Sequence, residues 1–134
     1  MLRKNIRSDK AFEARNTHSA GVVASGRFLF TSGITPRDEA GNLVGTGDMR
    51  VQIRQTLNNL DEVLNTAGVN FSSVVKYNVF VTDLDAYFSA RKNPETGHEI
   101  AMGAAPALTV VEISRLADPD MMIEIEAVAQ IPEA

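Results

Sequence analysis

The spacing of apolar residues predicts one long amphipathic helix near the middle of the chain. Between Met49 and Ala67 these residues recur three or four positions apart, at Ile53, Leu57, Leu60, Leu64 and Ala67. That interval places them on one face of an α-helix. Asp48 stands where a helix N-cap is expected, and Gly68 stands where a helix commonly ends in a left-handed residue. The pattern therefore predicts a helix over residues 49–67.

The chain before this helix has short apolar runs separated by turn residues. The first 20 residues are polar and aperiodic, which predicts an extended arm or a weak edge strand. Two apolar runs follow, Val22 to Ala24 and Arg27 to Thr31, and Ser25-Gly26 separates them. Two such runs around a two-residue turn signal predict a β-hairpin. The Gly-, Asp- and Pro-rich "ITPRDEAGNLVGTGD" predicts the loop that leads into the helix.

The segment after the long helix alternates with a period of two and then changes to a helical pattern. "SSVVKYNVFVTDL" predicts a strand with one apolar face, formed by Val75, Tyr77, Val79 and Val81. A second helix is predicted from about Asp83, with apolar contacts through Leu84, Tyr87 and Phe88. Because an interior proline is incompatible with a regular helix, Pro94, with Gly97 after it, should divide this helix into two short pieces.

Two β-rich runs, "LTVVEISRL" and "MMIEIEAVAQI", close the chain, and the turn-like "ADPD" joins them. This arrangement predicts a C-terminal antiparallel hairpin. The whole order is ββ, α, β, α, ββ, without repeats or linkers. It predicts an α+β fold, a mostly antiparallel sheet with two helices packed on one face, in a single domain over residues 1–134.

Alternation within the last strands indicates how the two faces of this sheet differ. In "IEIE", Ile123 and Ile125 point to one side while Glu124 and Glu126 point to the other. In "LTVVEI" the two sets are Leu108, Val110 and Glu112, and Thr109, Val111 and Ile113. A sheet with apolar residues on both faces is unlikely to leave either face wholly in water. The pattern favours an oligomer in which another subunit covers the second face, although the two glutamates alone fit a solvent-exposed face.

Composition excludes several classes of function. The 134 residues include no Cys, so disulfides, thiolate metal sites and cysteine nucleophiles are excluded. Thirteen Lys and Arg against 17 Asp and Glu give a net charge of -4, which disfavours nucleic-acid binding through phosphate contacts. No apolar stretch approaches the ~20 residues of a membrane span, and no signal-like apolar region follows the N-terminus. We expect a cytoplasmic protein that has no membrane association.

Most familiar catalytic motifs are missing from the sequence. His18 and His98 are its two histidines, and neither has metal-binding spacing, so no metal is expected. No nucleophile elbow is present, and the Gly-rich "GNLVGTGD" lacks the residues of a P-loop and the spacing of a dinucleotide fingerprint. We expect no cofactor. An anion could still contact the N-terminus of the helix that this loop enters.

Five blocks, in order and across nearly the whole chain, resemble the RidA/YjgF family of enamine and imine deaminases. They are "FLFTSGITP", "VQIRQTLNNLDEVLNTAG", "VVKYNVFVTDLDAY", "APALTVVEISRL" and "IEIEAVA". The resemblance implies a chorismate-mutase-like α+β fold. It also implies a homotrimer that binds small molecules in clefts between its subunits.

The resemblance also assigns roles to individual residues. Deaminases of this family hold the carboxylate of a 2-imino or 2-enamino acid with an Arg in a "PAR" motif, whereas this chain has Pro106-Ala107-Leu108. Glu124 matches the glutamate near the attacking water, and Ser32, which could donate a hydrogen bond to the substrate, matches a family serine. The remaining matched positions are expected to contact the substrate: Gly33, Thr109, Val110 where many members have Cys, Arg91 where Asn is frequent, and Ser19, beside His18, where a Tyr often lines the pocket.

These matches lead to three hypotheses for function. The first is a RidA-like hydrolase or deaminase that acts on an imine, enamine or related metabolite, with Glu124 catalytic and Ser32 assisting. Replacing the Arg by Leu108 should shift its specificity away from small, highly anionic 2-imino acids, and Arg91 is an alternative carboxylate contact. The second hypothesis is a non-catalytic trimer that binds a metabolite. The third, an endoribonuclease, is disfavoured by the acidic composition and by the two histidines.

Overall fold

The computed structural model of the protein describes residues 2–8, 10 and 17–133. Its strands are β1 (Arg3–Ile6), β2 (Gly21–Ala24), β3 (Arg27–Phe30), β4 (Val74–Val81), β5 (Ala107–Glu112) and β6 (Ile123–Ile131). Its α-helices are α1 (Met49–Thr66), α2 (Leu84–Ala90) and α3 (His98–Ala101), and Phe71–Ser73 and Pro94–Thr96 form short 3₁₀ helices. The α+β class is confirmed.

Helix α1 begins and ends where its sequence predicts. The Asp48 carboxylate accepts hydrogen bonds from the backbone N–H groups of Arg50 and Val51 at 3.0 and 3.3 Å. Two N–H groups that lack partners within the helix are thereby satisfied. Gly68 has a left-handed φ of 80°, and its N–H donates to Asn65 O at 2.9 Å. The helix of residues 49–66 is thus confirmed together with both of its end signals.

The pairing of the last two strands differs from the predicted hairpin. The main sheet has the order β3-β6-β4-β5, in which β5 lies parallel to β4 at one edge and β6 lies antiparallel between β3 and β4. Residues 113–122 carry the chain from one side of β4 to the other. The C-terminal hairpin prediction is wrong because the "ADPD" turn is only one part of this crossing. The alternating apolar face of β6 is buried at the centre of the sheet.

The predicted N-terminal hairpin is also wrong. Strand β2 pairs with β1 in a separate two-stranded sheet, whereas β3 pairs with β6. Gly26, with φ of 110°, turns the chain from one sheet into the other. The Gln130 side-chain amide fastens this junction, since its Nε2 donates to Leu2 O and to Ser25 O, each at 2.7 Å. An edge strand within the first 20 residues is confirmed as β1, while residues 1, 9 and 11–16 of the predicted arm lie outside the described residues.

The three helices cover one face of the main sheet and form the core with it. Ile53, Leu60 and Leu64 of α1 are fully buried against the sheet. The sheet contributes Tyr77, Val79, Val81, Ile123, Ile125, Ala127 and Ala129 to the same cluster. This arrangement confirms the sidedness predicted for the two isoleucines and the apolar face predicted for β4 at Tyr77, Val79 and Val81. At the start of the strand a register shift places Val74 in the cluster instead of the predicted Val75.

The opposite face of the main sheet, which we call the open face, carries mixed side chains. Cross-strand partners share a face, so the register assigns to it Phe30 of β3, Lys76, Asn78 and Phe80 of β4, Thr109 and Val111 of β5, and Glu124, Glu126 and Val128 of β6. The predicted placement of both glutamates away from the helices is confirmed.

No helix in the described part of the chain is long and apolar enough to cross a membrane.

Candidate functional site

A cavity of about 630 Å³ opens between the α2–α3 region and strand β5. Its lining, which defines what we call the Leu108 cavity, consists of Thr17, His18, Arg91, Lys92, His98, Glu99, Met102, Gly103 and Leu108. Two residues that the sequence nominated for substrate binding, Arg91 and Leu108, therefore line the same cavity. Thr17 and His18 also line this cavity.

The interruption of the second helix shapes this cavity. Helix α2 ends at Ala90, and the Asn93 side chain accepts a hydrogen bond from Glu95 N at 2.9 Å at the start of the 3₁₀ turn. Gly97 then adopts a left-handed φ of 77°, a conformation that favours glycine, and begins α3. The predicted division of the second helix at Pro94 and Gly97 is confirmed. This interruption brings Arg91 and His98 to the lining of the Leu108 cavity.

His98 and Tyr87 form a buried hydrogen-bonded pair behind the cavity wall. The Tyr87 hydroxyl lies 2.7 Å from His98 Nε2, and the two rings meet edge to face with centroids 5.6 Å apart. Burial, reinforced by the positive charge of Arg91, lowers the pKa of His98 to about 4. Burial also raises the pKa of Tyr87 to about 12, against the opposing effect of Arg91. Both side chains are therefore neutral at pH 7.

Aromatic rings hold the Arg91 guanidinium beside this pair. Its central carbon lies 4.7 Å from the ring centroid of Phe88 and 5.7 Å from that of Tyr87, distances typical of cation–π contacts. The sequence predicts Phe88 to be an apolar contact of the helix, but 37% of its surface is exposed. That expectation is wrong because Phe88 contacts the arginine at the surface, and Tyr87 is the ring that enters the core.

Three other nominated residues do not join this cavity. The Ser19 hydroxyl is buried and donates to Ala105 O at 2.6 Å. This hydrogen bond joins Ser19 to the loop before β5, so the hydroxyl is not available to donate to a substrate. Thr109 lies on the open face and accepts a hydrogen bond from Lys76 Nζ at 2.8 Å. Val110 packs against the core on the helical side.

Glu124 and Gly33, with Ser32 before it in the chain, form a second group at the start of β6. A Cβ atom built on Gly33 would overlap Glu124 Oε2 and lie 2.6 Å from Glu124 Cδ. The backbone of Ile34 exchanges two hydrogen bonds with Ile125, at 2.7 and 3.0 Å, and this pairing fixes the approach. Ser32 is exposed next to the pair. The glycine is thus required to admit the carboxylate.

The two groups lie on opposite faces of the main sheet within one chain. Leu108 pairs with Tyr77, which points into the core, whereas Glu124 pairs with Phe80 on the open face. One chain therefore presents the nominated residues as two half-sites: Leu108 with Arg91, and Glu124 with Gly33. A smaller cavity of about 170 Å³ also lies on the open face, and Lys76, Asn78 and Glu126 contribute to its lining.

Comparison with known proteins identifies the family. The family model described as Endoribonuclease L-PSP matches residues 8–131. RutC family protein slr0709 of Synechocystis is 35% identical over 133 residues, which cover 98% of this chain and 99% of that protein. The chain belongs to the RidA/YjgF family. A RidA/YjgF relative from Salmonella typhimurium, 33% identical over 96% of this chain and 98% of its own length, is a 2-iminobutanoate/2-iminopropanoate deaminase.

Solved structures of the RidA/YjgF family share the fold. The Rid family protein YyfB of Yersinia pestis has a TM-score of 0.83 and 31% identity, covering 98% of this chain and 100% of that chain. RidA from an Antarctic Psychrobacter bacterium has a TM-score of 0.64 and 28% identity, covering 96% and 99%.

The sequence does not predict the Tyr87–His98 pair. His98 lacks metal-binding spacing in the sequence, and no group of three or more His, Cys, Asp or Glu residues in the described part of the chain is placed to hold a metal ion. The one sequence feature that points to His98 is its position, because it stands just after Gly97 in the predicted helix break. A contact between Tyr87 and His98, which spans that break, could not be inferred from a helical period.

Proposed function

We propose that the protein is a RidA-like hydrolase or deaminase of an imine, enamine or related metabolite. The observation that carries this proposal is the Glu124–Gly33 contact, because the carboxylate that the family resemblance nominates lies against a glycine that makes room for it. Relatives named 2-iminobutanoate/2-iminopropanoate deaminase support the reaction type.

In the proposed reaction, Glu124 activates a water molecule for addition to the imine carbon. The carboxylate accepts one proton from the water as the new C–O bond forms and passes it to the imine nitrogen. As the C–N bond of the resulting carbinolamine breaks, the proton of its hydroxyl group moves through the carboxylate to the departing nitrogen, which leaves as ammonia and gives a carbonyl product. One water is consumed for each ammonia released. Ser32, which is exposed and precedes Gly33 in the chain, donates a hydrogen bond to the substrate in this proposal.

We propose a homotrimer in which the half-sites of neighbouring copies meet in the intersubunit cleft. Two observations support assembly: one chain keeps Leu108 and Glu124 on opposite sheet faces, and its open face exposes apolar surface, with Phe30 72% exposed. The Leu108 cavity of one copy would then hold the body of the substrate. Glu124 of the next copy would supply the carboxylate.

Leu108 supports a specificity that differs from that of the deaminases with Arg in this position. A hydrogen bond to a charged group contributes ~1.5–3 kcal/mol, and leucine cannot make one. The half-buried Leu108 side chain instead packs against the core and adds apolar surface to the cavity. The preferred imine is accordingly larger or more apolar than a 2-iminopropanoate.

The test is steady-state hydrolysis of imines generated in situ from a panel of amino acids. Glu124→Gln removes the proton acceptor and should lower kcat by about 100-fold or more. Glu126→Gln is the matched control, since Glu126 lies on the same strand and face, where it accepts from Asn78 Nδ2 at 3.1 Å. Turnover that survives in Glu124→Gln, or falls equally in both variants, would remove Glu124 from the mechanism.

A non-catalytic metabolite-binding trimer is the second candidate. Leu108 favours it, because the cavity remains while the cation that the deaminases have at that position is missing. Native mass spectrometry of the purified protein separates the two proposals. A ligand that is retained without conversion, together with no turnover on any imine of the panel, supports binding alone.

A further inference from the structure

The strongest unassigned feature of the molecule is the pair of nitrogen donors that Arg91 and His98 present to the Leu108 cavity. Arg91 and His98 both line this cavity. The Arg91 guanidinium interacts with the Tyr87 hydroxyl, and its remaining N–H groups, like His98 Nδ1, make no hydrogen bond to any residue in the ranges that the structure describes. These nitrogen donors are therefore available to a ligand that enters the cavity beside Leu108 and Met102.

The hydrogen bonding of Tyr87 determines which nitrogen of His98 carries the proton. The buried Tyr87 hydroxyl lies 2.7 Å from His98 Nε2, and its other polar neighbour, Arg91, can only donate a hydrogen bond. Leaving a buried O–H donor without an acceptor costs about 1–3 kcal/mol, so Tyr87 donates and Nε2 accepts. The single proton of the neutral imidazole therefore lies on Nδ1.

The Nδ1 atom is accessible from the cavity. Across the described residues, Thr56 Oγ1 is the one fully enclosed side-chain polar atom without a hydrogen-bond partner. His98 Nδ1 has no such partner among the described residues either, but it is not enclosed, and His98 lines the Leu108 cavity. The Nδ1–H group thus faces the cavity.

The charges around the cavity favour an anion. Arg91 and Lys92 contribute positive charge to the lining and Glu99 contributes negative charge. Arg91 is the preorganised cation, because the rings of Phe88 and Tyr87 hold its guanidinium, and a planar guanidinium matches a carboxylate with two parallel hydrogen bonds.

We propose that Arg91 and His98 form a substitute carboxylate clamp, with His98 Nδ1–H and the Arg91 guanidinium donating to one carboxylate whose apolar chain lies against Leu108 and Met102. The ligand class is a monocarboxylate with a medium-sized apolar chain. This inference rests on the proposed function only in taking the Leu108 cavity as the place where substrate binds. Tyr87 acts as a positioning residue, because it sets the His98 tautomer.

Equilibrium binding of stable probes tests the clamp independently of turnover. Calorimetry at pH 7 would compare 4-methylpentanoate with its uncharged isostere 4-methylpentanamide, using the whole protein. We expect the carboxylate to bind at least about tenfold tighter than the amide. Arg91→Gln and His98→Gln should each remove most of this preference, since glutamine at 98 can still accept from Tyr87 but lacks the Nδ1–H group.

Lys92→Gln is the matched control for Arg91→Gln, because it removes one positive charge from the same lining. It should keep the preference for the carboxylate. Equal loss in Lys92→Gln and Arg91→Gln, or equal binding of the two probes to the unchanged protein, would overturn the clamp and leave only a general positive potential. A preference that survives in His98→Gln would also overturn it.

Nitrogen-15 NMR of histidine-labelled protein covers the case in which a His98 variant fails to fold. The unchanged protein should show His98 protonated on Nδ1, and 4-methylpentanoate should shift that proton. A proton on Nε2 would overturn the proposal. If the unchanged protein shows no preference for the carboxylate but keeps Glu124-dependent turnover, the clamp alone is rejected. If it shows the preference but turns over no imine of the panel, the deaminase alone is rejected.

Discussion

At the scale of single residues, Gly33 matters because of the side chain beside it. Its Cα lies so close to the Glu124 carboxylate that any Cβ would occupy the space of Oε2. The displaced atoms would be the far end of a flexible side chain, so the fold can accommodate alanine by moving the carboxylate. Position 33 therefore controls where the carboxylate lies much more than it controls stability.

Gly33→Ala should reduce turnover with little change in the free energy of unfolding. Because a displacement of about 1 Å in a catalytic group can cost about 100-fold in rate, we expect kcat/KM to fall by that order. Urea unfolding and steady-state imine hydrolysis, measured on the same preparation, test the two halves of this expectation.

Gly21→Ala is the control for that substitution. A Cβ on Gly21 would meet no atom within 4 Å, so both turnover and stability should remain unchanged. Full activity in Gly33→Ala would show that the position of the Glu124 carboxylate is irrelevant to the reaction.

At the scale of elements, local signals predicted the helices well and the strand pairing poorly. Asp48, the apolar period and Gly68 all act within a few residues of α1, so the chain segment itself contains the information. Whether β6 pairs with β5 or with β4 depends on residues far apart in sequence. Both predicted hairpins were wrong for this reason, although every strand involved was present.

The site shows the same division between local and distant information. Family motifs nominated Glu124, Gly33, Leu108 and Arg91, and alternation correctly placed Glu124 on the face away from the helices. The hydrogen bond from Tyr87 to His98 was not predictable, because it depends on how the chain turns between α2 and α3.

Gln52 illustrates how one helix organises distant segments. Its fully buried side chain donates from Nε2 to Gly45 O at 3.1 Å and to Asp120 O at 3.0 Å. Its Oε1 accepts from Met122 N at 2.7 Å. Helix α1 is thereby joined to the loop before it and to the segment that leads into β6 and Glu124.

Gln52→Leu should destabilise the protein by about 3 kcal/mol or more, because it leaves a donor and two acceptors without these partners. Thr56→Val, one helical turn further on, is the matched control. The Thr56 hydroxyl is enclosed and has no hydrogen-bond partner among the described residues, so valine should be neutral or stabilising by about 1 kcal/mol. Urea unfolding followed by circular dichroism measures both changes, and equal destabilisation would contradict the assigned role of Gln52.

At the scale of the whole molecule, the candidate site is divided between the two faces of the main sheet, with Leu108 on the helical side and Glu124 on the open face. Phe30 is 72% exposed and Val111 is 40% exposed on this face, while Lys76 and Glu126 form hydrogen bonds with neighbouring strands rather than extending into solvent. Exposed apolar residues on a face whose polar side chains are already hydrogen-bonded to one another are typical of a surface that another copy covers. The proposed trimer would bury this surface and bring the two half-sites together.

Phe30→Lys tests the assembly and the completeness of the site at once. A lysine on the open face would have to be buried in the trimer, so sedimentation equilibrium should show a shift from trimer to monomer. Imine turnover should fall with it, because Leu108 and Glu124 would no longer meet. Val51→Lys is the control, since Val51 is 38% exposed on the outer side of α1 and a lysine there should leave the mass unchanged. A monomeric Phe30→Lys variant that keeps full turnover would show that one chain contains a complete site.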